Sequence, residues 1–445
     1  MSGPESSVAN TSSKRGGKSG KRNRGRGRNW IQHSGKELIF SASREERLAA
    51  HNLPHDHDIG DGLLASSPME TLLPPHVGTT LAEGGIRNVE YIGSYDWTES
   101  EEPTIIVPGS PPRWVDRDVP FQLRPDEGVR IVDHNTLKLP SFPLLPLLTA
   151  VDIIEKDVIW PSIDFVSDRT NLRKLYKWIE RGDNVRDFRI DFELVGERTV
   201  LLNRWEPGDR DVAGNGKTYG IAFERMVTRA PAGCAESLVH LRIIKYDFHG
   251  LKMIVRHKVD ACLPHATERA DVPSSPSPDD TLANTLDSLS IEAVSPAENK
   301  KQPLNLPAHG LRVVRGGSEV PQESVVELMT RSTISMQLDV SIIIPPVYLS
   351  QASHLHIGIH TQGQFSRIHR ISTTHKSDSI SAGEKQMNGD FEKLGMVLKN
   401  IQEIAIAHRN KSLSLVCRGG KLQVYEHVSR QSCLPDDVYR RFNAQ

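Results

Sequence analysis

The segment FRIDFELV, residues 188–195, alternates apolar and charged side chains along this 445-residue chain. In an extended backbone the apolar residues point to one face and the charged residues to the other. The pattern therefore predicts a half-buried β-strand. Three other segments are rich in β-branched and apolar residues and predict further strands: TVLLNRW (199–205), SLVHLRIIKY (237–246) and LKMIVRHKVDA (251–261).

Helical periodicity is clearest in two segments of the chain. DRTNLRKLYKWIERG, residues 168–182, places Leu172, Leu175, Tyr176 and Ile179 on one stripe, with Asp168 as the expected N-cap and Gly182 as the stop. FEKLGMVLKNIQEIA, residues 391–405, has a similar apolar stripe. Because strands outnumber helices, we expect an α+β fold with a mixed, largely antiparallel β-sheet core and flanking helices.

Two segments have compositions typical of disorder. Residues 1–80 are rich in Ser, Gly, Pro and Arg, and residues from about 265 to 310 are rich in Ser, Pro and Asp. The second segment separates two strand-like regions, so we interpret it as an insertion in a loop. The expected organisation is a basic tail over 1–80 and one domain over 81–445 that contains the insertion.

The tail has a strong positive charge. Residues 14–28, KRGGKSGKRNRGRGR, contain eight Lys or Arg and no acid. With Glu5, the first 28 residues carry +7, which leaves −8 for the rest of a chain whose total charge is −1. The Gly-Arg alternation resembles RGG-type RNA-binding segments, and nuclear import or solubility is the alternative explanation. We expect a nuclear or cytoplasmic protein.

Several classes of protein and site are disfavoured by what the sequence lacks. It has no run of eighteen apolar residues, which argues against a membrane span, and no secretory signal. Its four cysteines show no CxxC spacing, which argues for reduced thiols and against structural zinc. The G-x-S-x-G motif, the P-loop and the dinucleotide-binding fingerprint are also missing.

Two strand-like segments carry carboxylates that could meet. In LKMIVRHKVDA, Lys258 and Asp260 share a face, and SVVELMTR carries Glu327 two residues before Met329. If these strands are neighbours, Asp260 and Glu327 converge, and two carboxylates of this kind can hold Mg²⁺ or Mn²⁺. A lysine beside them could stabilise charge on a phosphate. The spacing alone is a weak signal, because such patterns arise often by chance.

The order of six short segments resembles the decapping exoribonuclease family of RNA 5′-end quality control, which has a PD-(D/E)XK-type nuclease core, and indicates a divergent, fungal-like member. The segments are FVSDRTNLRKLYKWI, FRIDFELVGERTVLL, YGIAFERMV, HKVDA, VVELMTR and SQASHLHIGIHTQGQF, which together span about residues 165–370. The resemblance implies metal ligands at Glu224, Asp260, Glu327 and the Leu328 carbonyl. It also implies RNA contacts at Arg169 and Gln351.

Two positions depart from the family pattern. Lys258 stands where the family has the first acid of a glutamate-x-aspartate pair, and Met329 stands where it has its catalytic lysine. One interpretation is decay, in which the chemistry is lost and the fold kept. The other is migration, in which Lys258 supplies the missing ammonium as a catalytic residue. A third is that the alignment of these strands is mistaken.

The resemblance leaves two hypotheses for function. The first is an RNA 5′-end-binding enzyme that uses Mg²⁺ or Mn²⁺ to cleave 5′-terminal phosphate linkages, by decapping, pyrophosphohydrolase or 5′–3′ exonuclease chemistry. The second is a catalytically inactive pseudonuclease that binds RNA or acts as a scaffold for a 5′–3′ exoribonuclease. A Lys258 ammonium within about 4 Å of the three acids, which is salt-bridge range, would favour migration. An outward-facing Lys258 would favour decay.

Overall fold

A computed structural model of the chain describes residues 44–76, 85–154, 157–213, 218–264, 309–333, 340–373, 378–428 and 432–443. The basic segment 14–28 and the predicted insertion from residue 265 to residue 308 lie outside these ranges. Statements about structure below concern the described residues.

The helices and strands are labelled in chain order. The helices are α1 Arg44–Ala50, α2 His134–Lys138, α3 Leu145–Ile153, α4 Arg169–Arg181, α5 Gly220–Val227, α6 Val340–Ser350, α7 Asp378–Ala407 and α8 Asp436–Tyr439. Short 3₁₀ helices occur at Trp160–Ser162, Gly182–Asn184, Gln322–Ser324 and Arg440–Phe442. The strands are β1 Glu70–Leu72, β2 Ile86–Thr98, β3 Thr104–Gly109, β4 Arg113–Trp114, β5 Phe121–Gln122, β6 Val129–Ile131, β7 Phe165–Asp168, β8 Phe188–Val195, β9 Thr199–Arg204, β10 Arg210–Val212, β11 Thr228–Arg229, β12 Ser237–Phe248, β13 Leu251–Lys258, β14 Ala261–Cys262, β15 Arg312–Gly317, β16 Val325–Ser332, β17 His354–Thr361, β18 Gln364–Ser372, β19 Leu413–Arg418 and β20 Lys421–Glu426.

Two large sheets organise the molecule. The first has the strand order β1-β20-β19-β8-β9-β7-β13-β12-β2-β3-β15, and the second has the order β11-β4-β14-β16-β17-β18-β5. Strands β6 and β10 form a separate pair. Most neighbours are antiparallel. The parallel pairs are β7 with β9, β7 with β13, β3 with β15, β4 with β14, and β16 with β17. The predicted α+β class with a mixed, largely antiparallel sheet is confirmed.

The main core lies between the first sheet and the helices α4 and α7. The apolar face of β8, predicted from its alternation, packs there through Phe188, Ile190 and Phe192. The predicted stripe of α4 is also buried, with Leu172 1% and Leu175 0% exposed. The sheet and helix assignments made from periodicity are therefore correct in this region.

One detail of α4 differs from the expectation. Asp168 occupies the N-cap position, but its side chain makes no capping hydrogen bond. Its carboxylate instead accepts from the buried guanidinium of Arg256, at 2.7 and 2.9 Å. A charge-assisted, two-point pairing is stronger than a single bond to a backbone amide, so the ion pair takes the carboxylate.

The boundary predicted at residue 80 is too late in the chain. Residues 44–76 belong to the segment expected to be disordered, yet they contain α1 and β1. β1 adds to the edge of the first sheet by pairing with β20, and Leu72 is only 3% exposed. Leu48 of α1 is 2% exposed. The polar composition of this region obscured two buried leucines, Leu48 and Leu72. Two such residues can hold short elements in place because the rest of the fold provides the apolar surface against which they pack.

The described residues also bear on the excluded classes. None of the described helices is long and apolar enough to cross a membrane. All four cysteines are buried.

Candidate active site

The end of β13 is fixed by a buried arginine. Arg256 is 1% exposed, and besides its pair with Asp168 it donates to the Tyr95 hydroxyl and the Pro143 carbonyl, both at 2.9 Å. These bonds satisfy a buried guanidinium that would otherwise be costly. Lys258 lies two residues further along the same strand, so its backbone is held rigidly at the edge of the site.

Glu224 is positioned by the packing of the short helix α5. The neighbouring Phe223 ring stacks on Phe365, with ring centroids 5.0 Å apart and planes 14° apart. A Cβ added at Gly358 of β17 would lie 2.7 Å from the Phe223 ring, so this glycine allows the close approach of helix and sheet. At the helix start, Asp126 accepts from the Ala222 amide at 2.9 Å. The orientation of α5, and with it Glu224, is therefore set by the second sheet.

Lys258 points into the site and joins two of the predicted acids. Its Nζ donates to both carboxylate oxygens of Glu224 at 2.8 Å and lies 3.1 Å from Oδ1 of Asp260. The Lys258 side chain is 42% exposed and that of Asp260 14%. The ammonium is thus reachable from solvent, while the acids beneath it are more enclosed.

Asp260 and Glu327 converge as the sequence predicts, because β14 and β16 are antiparallel neighbours. Oδ2 of Asp260 accepts from the Leu328 amide at 3.0 Å. Leu328 is therefore at the site through its backbone, whereas the metal role of its carbonyl stays a prediction.

Glu327 has a cation of its own. Nη1 of Arg169 donates to Oε2 of Glu327 at 2.7 Å and to the Pro346 carbonyl at 3.2 Å. Both side chains are nearly buried, at 12% and 10% exposed. Arg169, expected to contact an RNA phosphate, is thus already committed to an acid of the same site. Its role in binding RNA stays a prediction.

Burial and crowding shift the ionisation of these groups. Burial raises the pKa of Glu224, and the nearby Asp260 and Glu327 add to the rise although Lys258 opposes it. Burial likewise raises the pKa of Glu327, against the opposing effect of Arg169. For Lys258, burial would lower the pKa, but Asp260 and Glu224 outweigh it and the pKa is raised. Lys258 is therefore a fixed cation at neutral pH and not a proton acceptor.

The donor set does not fit a divalent metal ion in this arrangement. Mg²⁺ and Ca²⁺ are held by oxygen ligands at about 2.0–2.6 Å, and the oxygens of Glu224 and Asp260 are turned to an ammonium instead. Within the described ranges, no group of three His, Cys, Asp or Glu side chains could hold a metal ion. The three predicted ligands are near one another, but they are paired with two basic side chains.

Gln351, the second predicted RNA contact, is engaged with its own helix. It follows the last residue of α6 with a φ of 52°, and its side-chain amide donates to the Tyr348 carbonyl at 2.6 Å. The backbone carbonyl of Gln351 accepts from the side-chain amide of Gln322 at 2.7 Å. The residue ends the helix in the left-handed conformation, a structural role. A contact with RNA remains a prediction.

A cavity of about 700 Å³ opens beside the paired acids. Glu224, Asp260, Leu328 and Met329 contribute to its wall. Three arginines also line it: Arg47, Arg130 and Arg186. They were missed in the sequence analysis, because Arg47 falls in the expected tail and the other two lie in segments without a motif.

A further arginine escaped the sequence analysis. Arg173 lies one helical turn after Arg169 on α4, and its Nε is buried without a hydrogen-bond partner among the described residues. Burial lowers its pKa, and the neighbouring Arg169 lowers it further. The sequence RTNLR contained a signal for this arginine: Arg169 and Arg173 are four residues apart, and residues at that spacing share a helix face.

Comparisons with known proteins agree with this architecture. Rai1 of Scheffersomyces stipitis, solved with 3′-NADP⁺ and calcium ion, superposes with a TM-score of 0.51 at 12% identity, over 85% of this chain and 98% of that one. S. pombe Rai1 with 3′-FADP gives 0.50 at 11% identity, over 78% and 95%. Candida albicans Rai1 with pU5–Mn²⁺ gives 0.50 at 10% identity, over 84% and 98%.

These likenesses show the fold, which is that of the Rai1 structures, and they confirm at the level of fold the resemblance found in the sequence. Among curated proteins no match is found. A family model matches residues 81–443, most of the chain. The protein therefore belongs to the family described as a domain of unknown function (DUF8563).

Proposed function

We propose that this protein binds the 5′ end of RNA in the cavity beside Glu224 and Asp260. The observation that carries the proposal is the cavity itself, whose wall holds two of the acids that the family resemblance assigned to a nuclease site. The Rai1 fold supports it, since one Rai1 structure is a complex with pU5. A 5′-terminal phosphate group is the chemical feature that we expect the cavity to hold.

Four acids and three arginines line the cavity, so binding of an anionic ligand depends on the acids being paired. A phosphate placed near Glu224 and Asp260 would be repelled if those carboxylates were unpaired, but Lys258 lies on both of them. At the rim, Arg186 is exposed, and Arg130 is 57% exposed although it pairs with Asp211 at 2.8 Å. Guanidinium groups bind phosphate oxygens in a two-point geometry, which suits them to this task.

Hydrolysis is the second candidate function, and the convergence of three carboxylates on one place favours it. It would be cleavage at 5′-terminal phosphate linkages that depends on Mg²⁺ or Mn²⁺. It requires Glu224, Asp260 and Glu327 to exchange their present partners for the ion. Without that exchange, the protein is an RNA-binding pseudonuclease, for which a 5′–3′ exoribonuclease is the proposed partner.

The binding function is tested with short RNA oligonucleotides that carry a 5′-phosphate or a 5′-hydroxyl group. We expect tighter binding of the phosphorylated RNA, and a loss of about tenfold on Arg186→Ala, the size of a good charge-assisted contact. Arg181→Ala is the matched control, because Arg181 is a 42% exposed arginine of α4 that pairs with Glu180. Equal affinity for both RNA ends, unaffected by Arg186→Ala, would contradict the proposal.

A further inference from the structure

We infer that Lys258 and Arg169 are built-in counter-ions that take the place of a divalent metal, so that this site is complete without one. The inference goes beyond RNA binding, because it concerns what neutralises the carboxylates in the free protein. It is also distinct from both hypotheses drawn from the sequence. Lys258 is not turned away, as decay predicted, and its Nζ lies within about 4 Å of Glu224 and Asp260, two of the three acids that migration required.

The first step is the geometry of Lys258. An ammonium group has three N–H donors, and Lys258 Nζ has three carboxylate oxygens around it, at 2.8, 2.8 and 3.1 Å. These oxygens come from Glu224 and Asp260, two of the acids that line the cavity. An ion that used the same oxygens would have to occupy the same space as the ammonium.

The second step is that Oδ2 of Asp260 and Oε2 of Glu327 also have donors. Oδ2 of Asp260 accepts from the Leu328 amide at 3.0 Å. Glu327 accepts from Arg169 at 2.7 Å, in a nearly buried pair. If a metal ion bound Glu327, the buried Arg169 guanidinium would lose its partner and lie next to a divalent cation. That arrangement is strongly unfavourable.

The third step is the balance of charge. Three carboxylates meet two permanent cations, and Arg173 lies close enough for electrostatic interaction with Glu327. These cations therefore already neutralise most of the negative charge that would attract a divalent ion to the acids. Lys258→Glu changes the charge of the site by two units, which is the charge that one Mn²⁺ ion would bring back.

The test measures Mn²⁺ binding from the electron paramagnetic resonance signal of free Mn²⁺, using the full chain. We expect the natural protein to bind no Mn²⁺ at this site. Lys258→Glu should gain one Mn²⁺ site, with an affinity about tenfold or more above any residual Mn²⁺ binding by the natural protein, since the number of charged ligands tunes affinity over orders of magnitude. Adding Glu224→Gln to Lys258→Glu should remove the gained site. That loss would locate it.

Controls make each outcome decisive. Lys245→Glu changes the net charge equally on β12, where Lys245 pairs with Glu90 at 2.6 Å, and should gain no site. If Lys258→Glu does not fold, Lys258→Ala still removes the ammonium and should gain weaker binding. The inference is overturned if the natural protein binds one Mn²⁺ that Glu224→Gln abolishes. It is also overturned if neither folded Lys258 variant gains a site.

Discussion

At the scale of single residues, Lys258 and Met329 mark the points where this site departs from the nuclease pattern. Lys258 bridges Glu224 and Asp260, while Met329 lines the cavity and packs against the apolar cluster of Ile343, Val347 and their neighbours. Compared with the family pattern that the sequence resembles, the first position carries a cation in place of an acid and the second carries a methionine in place of a lysine. Because these changes lie on neighbouring segments of the same site, their effects should depend on each other.

We predict that Met329→Lys alone gives no RNA cleavage with Mn²⁺, because Lys258 still lies on the two acids that would hold the ion. The double change Lys258→Glu with Met329→Lys should produce Mn²⁺-dependent cleavage of 5′-phosphorylated RNA. Gel analysis of product lengths measures both. Cleavage by Met329→Lys alone, at the rate of the double variant, would show that Lys258 does not block the site.

A second residue-scale prediction concerns acid stability. His257 is 3% exposed, and burial lowers its pKa well below the usual value, with Arg169, Arg242 and His240 adding to the effect. Below pH about 6.5 the unfolded chain binds a proton at this histidine that the folded chain does not, so stability falls as the pH falls. His257→Leu should reduce that loss by up to about 1.4 kcal/mol per pH unit.

Urea unfolding at pH 5, 6 and 7 measures this slope. His369→Leu is the control, because His369 is exposed on β18. A slope that is identical in the natural protein and in His257→Leu would refute the prediction.

The identity of the site acids was accessible from sequence, but their partners were not. Asp260 and Glu327 were expected to meet because they lie on strand-like segments, and the pairing of β14 with β16 brings them together. The ion pair of Lys258 with Glu224 depends instead on the position of α5, which the Phe223–Phe365 stack determines. No local pattern specifies that packing, since the two rings lie on segments far apart in the chain.

At the scale of elements, the N-terminal additions to the body give a prediction about truncation. α1 and β1 bury Leu48 and Leu72 against the body. Deleting residues 1–43 should leave the free energy of unfolding unchanged, whereas deleting residues 1–76 should lower it by about 3 kcal/mol or more, from the loss of two buried leucines. Chemical denaturation of both truncated chains measures the difference. Equal stabilities would mean that α1 and β1 contribute no net stabilisation.

The insertion gives the opposite expectation. Replacing residues 268–305, which lie outside the described ranges, with a short linker should leave the melting temperature nearly unchanged. The entropy of closing a loop changes slowly with its length, and the Ser/Pro-rich composition predicts little burial. Differential scanning calorimetry provides the measurement. A large fall in melting temperature would indicate that LANTLDSLSIEA, residues 282–293, packs on the body.

Elements with clear periodicity were predicted well, and their arrangement was not. The alternation in β8 and the apolar stripe of α4 follow directly from burial of one face. The pairing of β1 with β20 joins Glu70 to Val424, and three residues carry too little sequence pattern to reveal it. The order of strands in both sheets is likewise fixed by packing between distant segments, which periodicity does not encode.

At the scale of the whole molecule, charge is divided unevenly along the chain. Eight basic residues fall within residues 14–28, and the chain as a whole has a net charge of −1. Deleting residues 1–28 should weaken RNA binding and flatten the dependence of log affinity on log salt, by up to about 0.7 for each cation that meets a phosphate of single-stranded RNA. Replacing the same eight residues with Gln is the control that keeps the length. A slope unchanged in both variants would leave nuclear import as the remaining explanation for this segment.

The most direct test of the account is whether 5′-end recognition needs a metal. Fluorescence anisotropy with 5′-phosphorylated RNA should give the same Kd in excess EDTA as in Mn²⁺, because Lys258 and Arg169 already neutralise the carboxylates of the site. The RNA should be recovered intact from both titrations. Binding that appears only with Mn²⁺, or cleavage of the RNA by the natural protein, would contradict the account.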